Sequence, residues 1–223
     1  MATYLITGAN RGIGLSLAQR LARRGETVIG VCRQSSAALA ATGAQVIDSV
    51  DMADADAVAS LPARLDGQRI DGLVLNAGIF TNETLDALDA DAFARIQRQF
   101  DVNTLGPLRV AAALRDHLAE GAKVGIITSR MGSVADNGSG AYYGYRASKA
   151  AVNAVGKSLA MDLAPRGVAV FLLHPGRVAT DMLGGHGDIG PDEAAANLIA
   201  RLDSLTLADT GTFWHANGTP LPW

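Results

Sequence analysis

Cysteine occurs once in the chain, at Cys32, which excludes an internal disulfide framework. Positive charge is nowhere concentrated. There are 19 Lys and Arg against 22 Asp and Glu, the net charge is -3, and no basic run follows a phosphate backbone. Nucleic acid is therefore not an expected partner. No apolar run reaches the ~20 residues that a membrane-spanning helix requires, so no membrane partner is expected either. The four histidines, His117, His174, His186 and His215, are scattered without the spacing of a zinc site, and no metal is assigned. The chain enters an apolar stretch at once, without a charged leader and cleavage site, which points to the cytoplasm. Internal repeats, low-complexity tracts and interdomain linkers are also missing.

What is present is apolar material for a substantial core: hydrophobic residues make up 48% of the 223 and charged residues 18%. That suits one domain spanning 1–223. Residues 2–7 read as a strand, 15–24 as an amphipathic helix and 27–32 as a second strand, with Gly25 where a helix C-cap glycine would sit. The alternation continues with a helix near 37–41, a strand near 45–50, a helix near 55–65 and a strand at 70–75. A long helical region at 91–119 follows, then a strand at 124–128, a helix at 142–164 and a strand at 168–173. Strands joined by crossover helices run parallel. The expected fold is α/β, a doubly wound parallel sheet of Rossmann type with about seven strands and helices on both faces. A C-terminal tail is expected over 212–223. Two glycine-rich loops, 132–140 and 184–190, follow strand ends at the edge where such sheets bind ligands. The second has four glycines in seven residues and suits a mobile lid.

Between the first strand and the first helix lies Gly8-Ala9-Asn10-Arg11-Gly12-Ile13-Gly14. Backbone without side chains can approach a pyrophosphate, and N–H groups at a helix start stabilise its charge. Dinucleotide sites usually place an acidic residue at the end of the second strand, on the adenosine ribose. Here Cys32 stands there and Arg33 follows. An arginine suits a 2′-phosphate, and Arg11 offers a second positive group, so NADP(H) is expected over NAD(H).

Tyr145 and Lys149 are four apart and share one face of the presumed helix. A nearby ammonium favours phenolate and lowers the phenol pKa, which would let Tyr145 act as a general acid or base. Pro107, four residues after Asn103, would disturb the helix at the Asn103 carbonyl and leave it free to hold a water.

With these motifs in order, the chain resembles the short-chain dehydrogenase/reductase family along essentially its whole length. Thr7 to Gly14 looks like the family's cofactor turn, and Asn76-Ala77-Gly78 its N-A-G. Asn103 looks like its active-site asparagine, Ser129 its strand-end serine, and Tyr145 with Lys149 its Y-x-x-x-K pair. Pro175-Gly176 with Thr180 resembles the nicotinamide-contacting segment, and Asp51-Met52 the adenine-contacting element, with Val58 and Leu61 then in register on the next helix. Ser129 to Ser133, Gly144 to Lys149 and Phe213 to Gly218 look like carbonyl-reductase-like and C-factor-like members. Sixteen positions separate Ser129 from Tyr145, more than is usual in the family.

The resemblance implies hydride transfer between NADP(H) and a small carbonyl or alcohol substrate. Tyr145 would move the proton and Ser129 would stabilise the oxyanion. Lys149 would grip the ribose and tune Tyr145, while Asn103 would position a water. It further implies cofactor contacts from Gly8, Asn10, Arg11, Gly12, Ile13, Gly14, Arg33, Asp51, Met52, Asn76, Ala77, Gly78, Tyr145, Lys149, Pro175, Gly176, Val178 and Thr180. A homodimer or homotetramer is expected through the long helices around 103–119 and 142–164, whose alanines allow close approach. The alternative is a cofactor-binding sensor or signalling protein, which would not need all four of Asn103, Ser129, Tyr145 and Lys149. A sugar-nucleotide epimerase is disfavoured because little chain remains after Thr180.

Overall fold

Apolar side chains cover both faces of the central strands, which is why these read as unbroken hydrophobic runs. The computed structural model describes residues 1–223 and has seven strands: β1 (Thr3–Thr7), β2 (Thr27–Val31), β3 (Gln45–Ile47), β4 (Ile70–Leu75), β5 (Leu118–Ile127), β6 (Ala169–His174) and β7 (Thr212–His215). All pair in parallel in one sheet ordered β3-β2-β1-β4-β5-β6-β7. Eight α-helices flank it: α1 (Gly12–Arg23), α2 (Ala37–Ala40), α3 (Ala55–Ala59), α4 (Leu61–Arg64), α5 (Ala90–Phe100), α6 (Gly106–Leu114), α7 (Tyr143–Leu163) and α8 (Pro191–Ser204). Consecutive strand residues enter opposite layers. Leu5, Leu73 and Leu172 pack with Val58 of α3, Val110 of α6 and Val152 of α7. Ile6, Val74 and Phe171 pack with Leu17 of α1, Leu39 of α2 and Leu198 of α8. The single-domain, doubly wound α/β architecture is as expected. No helix is long and apolar enough to cross a membrane.

Several boundaries differ from the sequence expectation, each for a local reason. The helical region expected over 91–119 divides into α5, a π-helical turn (Asp101–Leu105) and α6. Gly106 N–H reaches back five residues to the Asp101 carbonyl, immediately before Pro107, which has no N–H to give. The sheet resumes at Leu118, earlier than the expected 124, through a register shift in which Ile70 pairs Leu118 and Gly72 pairs Lys123. Strand β3 stops at Ile47, because Ser49 takes a positive φ of 60°. The helix expected over 55–65 breaks at Ser60, since Pro62 cannot continue the hydrogen-bond ladder. Helix α8 was not anticipated, although Pro191 at its start and Asp192 and Glu193 in its first turn are ordinary start signals. The segment expected as a tail begins with β7, and residues 216–223 fold back on it through a Leu221 N–H to Phe213 carbonyl bond (2.8 Å).

The strand order reverses between β1 and β4, so their connections diverge and open a crevice beyond the carboxyl ends. The two strand ends are tied together. Thr7 Oγ1 accepts from the Asn76 and Ala77 N–H groups (3.0 and 3.1 Å), and Asn76 Nδ2 donates to the Thr7 and Gly8 carbonyls (3.0 and 3.3 Å). Thr7 is buried. Thr7→Val keeps the shape and removes the acceptor, so urea unfolding should show a loss of about 1–3 kcal/mol.

Candidate active site

The crevice is a cleft of about 840 Å³. The glycine turn forms its floor for steric reasons. Gly8 and Gly12 hold φ of 67° and 55°. A Cβ on Gly14 would lie 2.2 Å from the Gly8 carbonyl oxygen and 2.6 Å from Asn76 Nδ2, so no side chain fits where α1 meets the β4 end. No side chain caps α1, and its first-turn amides remain available to an anion. Lining the cleft with Gly8 and Gly12 are Asn10, Arg11, Ile13, Arg33, Asp51, Met52, Asn76, Ala77, Gly78, Tyr145, Lys149, Pro175 and Thr180. Gly14, Gly176 and Val178 are not in the lining: Gly14 packs behind the turn, Gly176 (φ 96°) turns the chain beside His215, and Val178 is buried in a bridge to Ile189. Asn103 and Ser129 also lie outside it. Ala179 and Pro191 join the lining without having been anticipated, and Asp181 and Met182 line it as well, all placed there by the loop after β6.

The expected adenosine end is charged. Arg33 is exposed, and Arg11 pairs with Asp181 across the cleft mouth (3.2 Å). Both partners are exposed, so the pair contributes little to stability. Asp51 is bound by Arg98 (2.6 Å) and the Ala53 N–H (2.9 Å). Partial burial raises its pKa, but these hydrogen bonds outweigh that and hold the carboxylate below its usual range. The 184–190 loop is pinned at its neck by the Val178–Ile189 bridge, an Ala179 N–H to Ile189 carbonyl bond (2.9 Å) and an Arg177–Asp188 pair (3.2 Å).

At the other end stand Tyr145 and Lys149, one turn apart on α7. Lys149 Nζ lies 5.7 Å from the Tyr145 ring centroid and donates to the Ile127 carbonyl (2.9 Å). The expected depression of the phenol pKa is not seen. Burial pushes Tyr145 up to about 12, and the neighbouring Ser129 hydroxyl only partly opposes this. Burial likewise pulls Lys149 down to about 8. Desolvation is the largest influence on both groups. Phe80 packs edge-on against Tyr145, with centroids 4.9 Å apart.

Ser129 lies two residues past the end of β5 and caps the short turn after it, accepting from the Met131 N–H (3.1 Å). Asn103 is fully buried in the π turn and fully engaged. Its Oδ1 accepts from the Ile79 N–H (2.8 Å), and its Nδ2 donates to the Ile79 carbonyl (2.9 Å) and Ser148 Oγ (3.1 Å). It therefore locks the segment after β4 to α7 with its side chain. Ser148, Gln99 and Glu83 were missed by sequence reasoning. Ser148 sits unremarked inside the Tyr145 motif, and Glu83 is a lone acid in an irregular segment with no periodic signal. His174 stacks edge-on against His215 (4.9 Å); burial, then the positive charge of His215, Arg130 and Lys149, keep it neutral with a pKa near about 3. No cluster of metal-ligating side chains is present.

A glycine turn at the sheet's crossover point, facing a tyrosine–lysine pair across one cleft, defines a dinucleotide-binding oxidoreductase. The family model for short chain dehydrogenase matches residues 2–188, and the chain belongs to that family. It is 47% identical over 229 residues, covering all of both chains, to the 1-hydroxy-2-glutathionyl-2-methyl-3-butene dehydrogenase of Rhodococcus sp. (strain AD45). It is 40% identical over 156 residues to the C-signal of Myxococcus xanthus, covering 69% of this chain and 93% of that one. The NADPH-bound carbonyl reductase from chicken fatty liver superimposes with a TM-score of 0.88 at 28% identity, over 100% of this chain and 99% of that one.

The two titrating groups, buried Lys149 and half-buried Tyr145, act on stability in opposite directions. Below about pH 8, Lys149 is charged in both folded and unfolded chains, and burying that charge opposes folding. From about 8 to its ordinary 10.5 the unfolded chain binds more protons, so stability rises with pH. Between 10 and about 12 Tyr145 reverses the trend, because there the folded chain keeps the proton. Lys149→Met should therefore be more stable than wild type at neutral pH, by roughly 3 kcal/mol less the lost Ile127 hydrogen bond. The gap should close as pH climbs through that first window, as read by urea unfolding at a series of pH values.

Proposed function

We propose that the protein is an NADP(H)-dependent carbonyl reductase or alcohol dehydrogenase with Tyr145 as general acid and base. The observation that carries this reading is the placement of Tyr145 and Lys149 in the same cleft as the glycine turn. NADP(H), when bound, supplies or accepts the hydride. Gly8, Gly12 and the α1 amides would hold its pyrophosphate, Asp51 and Met52 its adenine, Pro175 and Thr180 its nicotinamide, and Lys149 its ribose. The Tyr145 hydroxyl gives its proton to the oxygen that gains charge at the substrate carbonyl, and Ser129 donates a hydrogen bond to that same oxygen. Once Lys149 turns from Ile127 toward the ribose and Tyr145, its ammonium offsets the desolvation that keeps the phenol protonated. The Asn103 carbonyl, beside Pro107 in the π turn, holds the water that resupplies the proton.

Arg33, without an acidic residue at Cys32, supports preference for the 2′-phosphate, and the carbonyl reductase neighbour binds NADPH. The protein works in the cytoplasm on a small molecule, as a homodimer or homotetramer. Phe93 on α5, Leu108 on α6 and Met161 on α7 are apolar and exposed, as such an interface needs. Light scattering at micromolar concentration tests this, and a monomeric mass counts against it. Because the full-length Rhodococcus relative is named for a glutathionyl alcohol, an alcohol carrying a glutathionyl group belongs first in a substrate panel. The likeness to the C-signal supports a second reading, a signalling protein that binds cofactor with little turnover. NADPH binding without turnover across the panel would favour it.

Tyr145→Phe should lower kcat by ~10²–10⁴-fold. Ser129→Ala should lower it by ~10²–10³-fold. Near-normal turnover of Tyr145→Phe would sink the mechanism. For the cofactor, Arg33→Ala should weaken NADPH far more than NADH, and Cys32→Asp should shift preference toward NADH; steady-state KM values for both cofactors check this, and a wild-type preference for NADH contradicts it.

A further inference from the structure

Helix α7 carries the proposed catalytic tyrosine in its first turn, yet its N-cap residue, Tyr142, supplies no side-chain cap. The cap comes from elsewhere in the chain. Glu83, between β4 and α5, is 1% exposed, and its Oε2 accepts from the Gly144 N–H (3.1 Å) while its main-chain carbonyl accepts from the Tyr142 N–H (2.8 Å). Its other oxygen, Oε1, accepts from the Thr81 hydroxyl and from Gln99 Nε2 (3.2 Å). Gln99 is itself fully buried, and its Oε1 is occupied by the Thr81 N–H (3.2 Å). All the donors to this carboxylate are neutral. A carboxylate, which only accepts, fits three converging donors and the positive end of a helix; an amide there would turn a donor against donors.

We propose that Glu83 is a positioning residue for Tyr145, clamping the start of α7 against α5 and the segment after β4. The proposal rests on the reading of Tyr145 as the proton-transferring group. Two further observations mark this junction as over-determined. Ala141 and Tyr142 are both held at positive φ, 53° and 55°, a conformation that non-glycine residues keep only where the surroundings impose it. Gly144 leaves no room for slack, since a Cβ there would lie 2.3 Å from Gln99 Nε2 and 3.0 Å from Ile96 Cα. The same segment reaches the reacting group directly: Phe80, three residues before Glu83, packs against the rings of both Tyr142 (5.6 Å) and Tyr145 (4.9 Å). The carboxylate thus sets where the helix begins, and one residue after its Gly144 contact comes Tyr145.

The test compares Glu83→Gln with the exchange variant Glu83→Gln/Gln99→Glu. In the exchange variant a carboxylate at position 99 accepts from Thr81 and from the amide at position 83, whose oxygen remains for the Gly144 N–H. Glu83→Gln should lower kcat for NADPH-dependent carbonyl reduction by about 10-fold or more, as a misplaced reacting group does, and leave the NADPH dissociation constant unchanged. Amide hydrogen exchange over residues 143–148 should accelerate in parallel. The exchange variant should recover most of both. If Glu83→Gln does not fold, Thr81→Ala removes one donor from the same carboxylate and should show the same kcat-only loss, smaller in size. Wild-type kcat and wild-type exchange in Glu83→Gln would overturn the proposal. So would a loss of kcat and NADPH affinity together that the exchange variant does not repair. Tyr145→Phe, run alongside, separates the two readings: its retained turnover would remove the proton-transfer role, while the exchange rates still decide whether Glu83 holds the helix.

Discussion

The hydrogen bonds that tie the end of β1 to the end of β4 are the constraint on which the site depends. Adjacent parallel strands whose connections leave in opposite directions must part at their carboxyl ends, and the gap would splay without a tether. Thr7 and Asn76 supply it with side chains that reach main-chain groups of the opposite strand end. Because Asn76 Nδ2 also binds the Gly8 carbonyl, the tether fixes the glycine turn as well as the sheet. The requirement for glycine at position 14 follows, since the space its side chain would occupy is already taken by the groups that close the junction.

The reactive end is organised by burial instead. Lys149 is 5% exposed, and its ammonium has a single main-chain acceptor in the Ile127 carbonyl. That is poor compensation for a lost hydration shell, and it lowers the pKa of Lys149, as desolvation raises that of Tyr145. A lysine held this way opposes folding at neutral pH and is easily shifted by any new acceptor or neighbouring charge. That combination suits a group that must change partners during a reaction and suits a purely structural residue badly.

The sheet, its crossover point and the cleft lining were legible in the sequence because each rests on a local pattern: apolar runs of strand length, a glycine turn and an i, i+4 pair. Most of the residues expected at the cofactor do line the cleft, while Gly14, Gly176 and Val178 support it from behind. The π turn was partly legible, since Pro107 marks the helix as interrupted near Asn103. What the pattern could not convey is that the interruption takes the form of an i→i+5 bond from Gly106 that leaves the helix continuous. The polar pairings were not legible at all. Asn103 with Ser148, Thr128 with Asn153 and Glu83 with Gly144 join residues 25 to 61 positions apart, and no periodicity records such a distance.

Those long-range pairings share one target, which is α7. Asn103 and Thr104 hold its second turn through Ser148, Thr128 binds Asn153 one turn further on, and Glu83 holds its start. Apolar packing alone would let a helix slide or rotate slightly on the sheet, because dispersion is non-directional. Hydrogen bonds to buried polar groups do not allow this, since a small displacement leaves a donor or acceptor unsatisfied at a cost of about 1–3 kcal/mol each. The helix is therefore fixed in rotation and in register by side chains from three separate segments. Tyr145 owes its place in the cleft to that fixing, so the geometry that the proposed proton transfer requires would be built before a substrate arrives, and substrate binding energy would not be spent on assembling it.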